Sequence, residues 1–394
     1  MIKTEKMFKQ EDLINVVVDL NHIDTANSFL VPGSPDELEG QKYAKKFLNG
    51  LGISSEIEQI NGSTHYNQFA TIKGTGDGKN LTLYAHMDTV GYELWKDRAL
   101  DAKIDGDTVT GLGVLDDKGH CAVMLMVAKA LVDNDIKLKG DLHLCFCADE
   151  EGESQGAFSY VEEHEGEACI ILEGAPPEEI NIIHQGFGWL KIKVYGKTGH
   201  GSAGGDAQDA IAQMAEVIVR MQKNARENFA THPHPMNGET VYHTSFITGG
   251  TDFASYPSYC ELGIEIGTQP GETMNDRIRE IYSIFDEVRE IYPAFEAEIE
   301  PIVVRSPFEM RGAEDLFEIA AKSIEKNTGL KAKGCGDNSW GDAQIFQDGG
   351  FPTIGFGAPG GNMHAPDEWV SIRGLTELTR TVLDTVMEYC EVSE

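Results

Sequence analysis

Four stretches of the chain, 67-NQFATIKG-74, 81-LTLYAHM-87, 141-DLHLCFCA-148 and 168-ACIILEG-174, are apolar almost without interruption. A strand exposed on one face must alternate apolar and polar side chains, because successive residues point to opposite sides. Runs without that alternation are strands buried on both faces. Helical stretches, 35-PDELEGQKYAKKFLNGL-51 and 118-KGHCAVMLMVAKALVDN-134, separate them. Such a chain must build a mainly parallel sheet covered by helices, an α/β architecture.

From Gly186 the texture changes. In 188-GWLKIKVYG-196, Leu190, Ile192 and Val194 point one way and Lys191, Lys193 and Tyr195 the other, so this strand has one wet face. A helix is expected from about Asp206, with Ile211, Met214, Ala215, Ile218 and Met221 on one stripe. Strands at 240-TVYHTSFITGG-250 and 258-SYCELGIEIGT-268 follow, then a helix from near Glu272 and a last strand at 294-AFEAEIEPIVV-304. The order βαββαβ describes a small ferredoxin-like α+β unit. Helix–strand alternation of the first kind resumes at 313-AEDLFEIAAKSIEKNTG-329 and 351-FPTIGFG-357. The second unit is therefore read as an insertion, 185–304, into a larger domain made of 1–184 and 305–394. At 394 residues, two cores are also what chain length suggests.

Charge and composition exclude several roles. Lys and Arg number 32 against 65 Asp and Glu, a formal net charge of -33. Such a surface repels nucleic acid and anionic lipid. No apolar run approaches the ~20 residues that span a bilayer, and the N-terminal stretch lacks the apolar segment of a secretory signal. A cytoplasmic location is the expectation. The seven cysteines lack paired CxxC spacing and lie mostly in apolar runs, which reads as buried free thiols.

The chemistry gathers at strand ends. One strand runs into His86 and Asp88, another into Asp149, Glu150 and Glu151, a third into Glu173, and 353-TIGFGAPGGNMH-364 ends on His364. Asp116 and Asp117 lie just before a helix. In open α/β sheets the crevice at the carboxyl ends of the strands binds ligands, so these residues can converge. Two imidazoles and several carboxylates suit one or two divalent ions. Each residue has a bland reading too: a packed histidine, a helix cap for Asp116, a solvated acidic turn for Glu150 and Glu151. It is their conjunction on one side of one sheet that argues for a site.

The segments HMDTV, GLGVLDDKG, CADEEGESQGA, ILEG, GKTGHGS and GGNMHAPDEW resemble the zinc-dependent aminoacylase, carboxypeptidase and desuccinylase family, which includes acetylornithine deacetylase and succinyl-diaminopimelate desuccinylase. The resemblance spans nearly the whole chain. It implies a zinc-peptidase fold with an inserted lid and dimerisation domain. It further implies two divalent ions, zinc first, with cobalt or manganese also accepted by this ligand set. His86 and Glu173 would complete one metal site, Glu151 and His364 the other, and Asp116 would bridge them. Asp88 would orient His86, Glu150 would be the general base, and His200 of GKTGHGS would stabilise the oxyanion. A cis peptide between Asp116 and Asp117 and a homodimer through the lid are implied as well.

Three positions depart from the family: before the bridging aspartate Leu112 makes the familiar GRG a GLG, and two more lie in the insertion. In 249-GGTDFASYP-257, Ala254 stands where relatives carry an asparagine, and in 264-IEIGTQPG-271 Gly267 stands where they carry an arginine. Both relatives' residues grip a substrate carboxylate. Lys191, Arg277 and Arg305 are the candidates to replace them. Glu173, where aminopeptidase members tend to have aspartate, leans toward deacylases and carboxypeptidases. The sequence thus reads as a dizinc hydrolase of a small N-acyl amino acid or dipeptide-like amide. The alternatives are a di- or tripeptidase of aminopeptidase type, and a metal-bearing binding protein without turnover.

Overall fold

A computed structural model describes residues 4–202 and 207–393. The chain divides into two units: the larger contains the residues up to Ile182, Met310–Gly334 and those from Ile345 onward, the smaller Ile183–Glu309 and Cys335–Gln344.

In the larger unit the sheet runs Ser55–Gln59, Tyr66–Ile72, Leu142–Cys147, Leu81–His86, Cys169–Leu172, Thr353–Phe356 and then the start of Glu179–His184. The four strands from Leu142–Cys147 to Thr353–Phe356 are parallel, and the flanks are antiparallel. Parallel pairing is thus confined to the centre, where three of the strands are buried at every residue. Leu81, Leu83 and Ala85 face a core formed with the helices Gln10–Asn21, Lys118–Asp133 and Ile372–Tyr389. Tyr84 points the other way, onto Phe346, with ring centroids 5.1 Å apart and edge-on. Both faces are covered, which is why no polar alternation was needed. Register then fixes the functional edge: His86 pairs with Cys147, Tyr84 with Ile171, and Phe356 with Leu172. The residues that follow these strands all emerge at one end of the sheet.

A small antiparallel sheet in the same unit pairs Lys103–Asp105 with Thr108–Thr110, that strand with Trp369–Ser371, and the last with Gly360–Gly361. It joins the segment leading to Asp116 to the segment holding His364.

The smaller unit has four antiparallel strands in the order Tyr242–Gly249, Tyr259–Thr268, Gly186–Tyr195, Glu296–Arg305. Gly186–Tyr195 alternates buried and half-buried residues along its whole length. Its inward residues Leu190, Ile192 and Val194 pack on the helices Ala210–Asn224 and Met274–Ile291. The first helix starts at Ala210, capped by the Asp209 carboxylate, which accepts from the backbone N–H groups of Ile211 and Ala212; Asp206 lies outside the described residues. Its buried stripe is Ala210, Met214, Val217 and Met221, whereas Ile211 and Ala215 are exposed. The expected stripe shares Met214 and Met221 with the buried one but was rotated toward solvent at Ile211 and Ala215.

One boundary differs from expectation. Cys335–Gln344 groups with the smaller unit, although the sequence assigned all of 305–394 to the larger. Trp340 is the physical reason: its ring lies 5.5 Å from that of Phe187, and its Nε1 donates to the Ser306 carbonyl at 3.2 Å.

Candidate metal centre

At the carboxyl edge of the parallel strands, His86 is fully buried and its Nε2 lies 3.1 Å from Asp116 Oδ1 and 3.5 Å from Glu173 Oε2. On the other side of Asp116, Oδ2 lies 3.1 Å from His364 Nε2, which is also 3.1 Å from Glu151 Oε2. Two groups follow, His86–Asp116–Glu173 and Asp116–Glu151–His364, each with ligand-type atoms within 4.8 Å of one another. Asp116 belongs to both and turns one oxygen to each imidazole. Glu150 Oε2 is 3.9 Å from His86 Nε2, at the margin of the first group. The peptide between Asp116 and Asp117 is cis.

The electrostatics are those of a cation site. Burial pulls the His86 imidazole down, yet Asp116, Asp88 and Glu173 overcome it and hold it well above its ordinary range. Asp116 and Glu151 push His364 up to about 11. Burial and the charge of Asp116 raise the Glu151 carboxyl to about 7. Glu151 Oε1 is buried without a hydrogen-bond partner. Carboxylates packed this closely repel one another, and a divalent ion among them relieves the repulsion while using these oxygens and imidazole nitrogens as ligands. The donor set therefore fits one ion in each group.

Asp88 does more than sit behind His86. The His86 Nδ1 is 3.1 Å from the Asp88 carbonyl and 3.4 Å from its carboxylate. That carboxylate also accepts from the backbone N–H of Glu150 at 3.2 Å and of Glu151 at 3.1 Å. It thereby ties the two-glutamate turn to the histidine strand. Asn27 Nδ2 donates to both Asp88 Oδ2 (2.9 Å) and Asp149 Oδ1 (2.8 Å). Asp149, grouped with the glutamates in the sequence, joins neither metal group. Its backbone is left-handed, φ 63°, so its side chain leaves the turn toward Asn27 and His65. Asp117 likewise faces the backbone N–H of His86 at 3.0 Å and, at 2.5 Å, the ring of His120, whose Nε2 accepts from Ala358 N–H.

A third buried trio, Asp36, Glu37 and His65, has the right donor types for an ion. Protein donors already occupy its oxygens. Asp36 accepts from Ser28 N–H, Ser28 Oγ and Thr64 Oγ1, and Glu37 from Tyr66 N–H and His65. It is a hydrogen-bonded ion-pair network that braces Asp149 from behind.

His200 lies in the smaller unit and is exposed. Ser202 N–H donates to its Nδ1, at 3.2 Å, so the neutral ring carries its proton on Nε2 as a donor. Gly201 N–H donates to the Ala254 carbonyl at 2.8 Å, a role in which any residue at 254 could serve. At Gly267 the space is taken: an added Cβ would lie 2.5 Å from Gln185 Oε1, and the Gln185 amide is fixed to Val241 N–H and the Glu239 carbonyl. Of the candidate cations, Arg277 is buried against Glu272, Glu280 and the Gly267 carbonyl, so it is a structural residue. Lys191 lies 3.7 Å from Glu261, and the Arg305 guanidinium stacks 5.6 Å from the Trp340 ring centroid.

Sequence reasoning missed Asn27, His65 and Glu368. Asn27 and His65 carry no spacing signal, whereas Glu368 stood inside the quoted GGNMHAPDEW. Burial and the charge of Asp116 push the Glu368 carboxyl up to about 8, against the pull of three backbone N–H groups.

The family described as Peptidase family M20/M25/M40 matches residues 82–388. The chain is 26% identical to an N-formyl-4-amino-5-aminomethyl-2-methylpyrimidine deformylase from Halalkalibacterium halodurans, over 94% of this chain and 94% of that protein. It is 27% identical to an acetylornithine deacetylase from Salmonella heidelberg, over 87% of this chain and 89% of that protein. Among solved structures, the aminopeptidase PepT of Bacillus cereus superposes with a TM-score of 0.80 at 21% identity, covering 98% of this chain and 100% of that one. A dinuclear metal binding peptidase of Bacillus subtilis gives 0.71 at 18% identity, over 98% and 99%. These structures share the fold.

Proposed function

The chain belongs to peptidase family M20/M25/M40 and is a hydrolase of that metallopeptidase and amidohydrolase group, and from that premise we propose a dinuclear-metal deacylase acting on a small N-acyl amino acid or similar amide. The observation that carries this reading is Asp116 set between His86 and His364, with Glu150 at the margin. His86, Asp116 and Glu173 would hold one ion, Asp116, Glu151 and His364 the other, with zinc the first expectation. Bound ions of this kind lower the pKa of water toward ~7 and polarise an amide carbonyl. Glu150 then takes the proton from the attacking water and passes it to the leaving amine nitrogen. Asp88 keeps His86 and the Glu150–Glu151 turn in register. His200 offers its Nε2–H to the oxyanion. Both sequence relatives are named for removing a small acyl group, formyl or acetyl, which supports deacylation.

We further read 185–304 as a lid and dimerisation domain. Its outer strand Tyr242–Gly249 is exposed along nearly its whole length, with Phe246 and Ile247 about half open, an edge suited to pairing with a second copy. The functional test is a panel of N-formyl, N-acetyl and N-succinyl amino acids and amines set against free di- and tripeptides. Hydrolysis of the acylated compounds, abolished by chelation and restored by zinc, cobalt or manganese, is the expected result. Turnover of free peptides alone would replace deacylation by the aminopeptidase reading.

A further inference from the structure

Glu368 is 1% exposed, and its carboxylate accepts three backbone N–H groups from a single loop: Gly113 at 3.0 Å on Oε2, and Leu115 at 2.7 Å and Asp116 at 3.1 Å on Oε1. Its own carbonyl accepts from Gly111 N–H at 2.9 Å. The loop 111–116 has no regular structure to satisfy these donors, and buried N–H groups need partners. One side chain supplies the partners of three of them. The same segment carries His364, whose Nε2 meets the Asp116 carboxylate from outside. Pairing of Trp369 with Thr110 locks the two segments together.

We propose that Glu368 is a positioning residue that fixes the bridging carboxylate of Asp116 between His86 and His364. The inference rests on the dinuclear reading given above. Glu368 does not itself reach the metal groups; it acts on the main chain of the residue that joins them. The two ions share Asp116, so a shift of its backbone moves a ligand of both at once. Groups that orient metal ligands from behind change affinity or activity ~10–100-fold when lost.

Glu368→Gln is the sharpest perturbation, because it keeps the shape but turns an amide N–H₂ toward an N–H donor. Wild type and E368Q, stripped of metal, are titrated with Co²⁺ against a competing chelator, following the visible cobalt absorption, and the unfolding midpoints of both apo-proteins are measured. Wild type is expected to take up two equivalents. E368Q is expected to stay folded, bind cobalt about 10–100-fold more weakly and show an altered cobalt spectrum. Should E368Q fail to fold, E368D, which keeps the charge but falls one methylene short, is read by the same titration. Wild-type cobalt affinity and spectrum in the variant, with only its unfolding midpoint lowered, would overturn the proposal alone. A wild-type protein that binds no cobalt would overturn the dinuclear reading and the proposal with it.

Discussion

Replacing Gly357 with alanine asks how much the position of Glu173 depends on the strand beside it. Gly357 follows the strand Thr353–Phe356, and Glu173 follows Cys169–Leu172, its parallel neighbour. A Cβ at 357 would lie 1.7 Å from the Glu173 carbonyl oxygen and 2.6 Å from His120 Nε2. The backbone at 357 is not left-handed, so alanine is compatible with its dihedral angles. What is lacking is space. Contacts below 3.0 Å do not occur, so one main chain must retreat by more than an ångström. The first atom is main chain and the second belongs to a buried ring held by Asp117 and Ala358 N–H, so neither yields freely. Because the Glu173 strand lies between the Gly357 strand and the His86 strand, its retreat displaces the Glu173 carboxylate relative to His86. Overpacking of this kind costs about 1–3 kcal/mol of stability. An ångström of misplacement at a reacting centre costs on the order of 10²-fold in rate. The expected result is a fall of about that size in kcat/KM for the best acylated substrate, with weaker metal retention. Gly50→Ala is the control, since nothing lies within 4 Å of the Cβ added there. Were Gly357→Ala to match wild type within a factor of about two in kcat/KM and metal content, the tight coupling of this strand to Glu173 would be refuted.

The assignment of the base is checked by metal analysis of three variants. Glu150→Ala should keep both ions and lose about 10²–10⁴-fold in turnover, while His86→Ala and His364→Ala should lose metal as well; equal metal loss in all three would show the base to be misassigned. His65 supplies a pH test. Burial lowers it, but Glu37 overcomes this and raises it from 6.5 to about 9. Its folded-state value lies above the ordinary one, so its contribution to stability is complete below about 6.5 and is lost as pH rises through about 9. Unfolding midpoints of the apo-protein between those limits should fall more steeply for wild type than for His65→Gln, and parallel profiles would remove His65 as the cause. Ile247→Lys, on the exposed edge strand, should lower the mass seen by light scattering from dimer to monomer with turnover chemistry intact at Glu150; an unchanged mass would move the dimer contact elsewhere.

Much of the larger unit was legible because its signals are local. Unbroken apolar runs mark strands covered on both faces, and the five expected strands and three expected helices of this unit lie where the sequence puts them. Strand ends could then be ranked by chemistry, and the structure gathers His86, Asp116, Glu151, Glu173 and His364 into two groups sharing Asp116. The smaller unit's element order along the chain, βαββαβ, was equally readable. Helix phase was only partly readable: Ala210, Met214, Val217 and Met221 repeat at helical spacing as the expected stripe does, and packing on the sheet decides which of the two overlapping stripes is buried.

What the sequence determined by itself, then, is the set of elements and the kinds of ligand at their ends, because burial periodicity and donor chemistry belong to individual residues and their neighbours. Tertiary structure decided which of those residues face the centre. Asp149 and Glu150 are adjacent, yet a left-handed backbone at Asp149 sends its side chain to Asn27 and His65, while the next two residues turn to the metal groups. It also decided what holds them there. Asn27 acts across 61 and 122 positions of chain, and Glu368 across more than 250. A buried carboxylate takes whatever donors folding brings to it, and no local pattern in the sequence records which those will be.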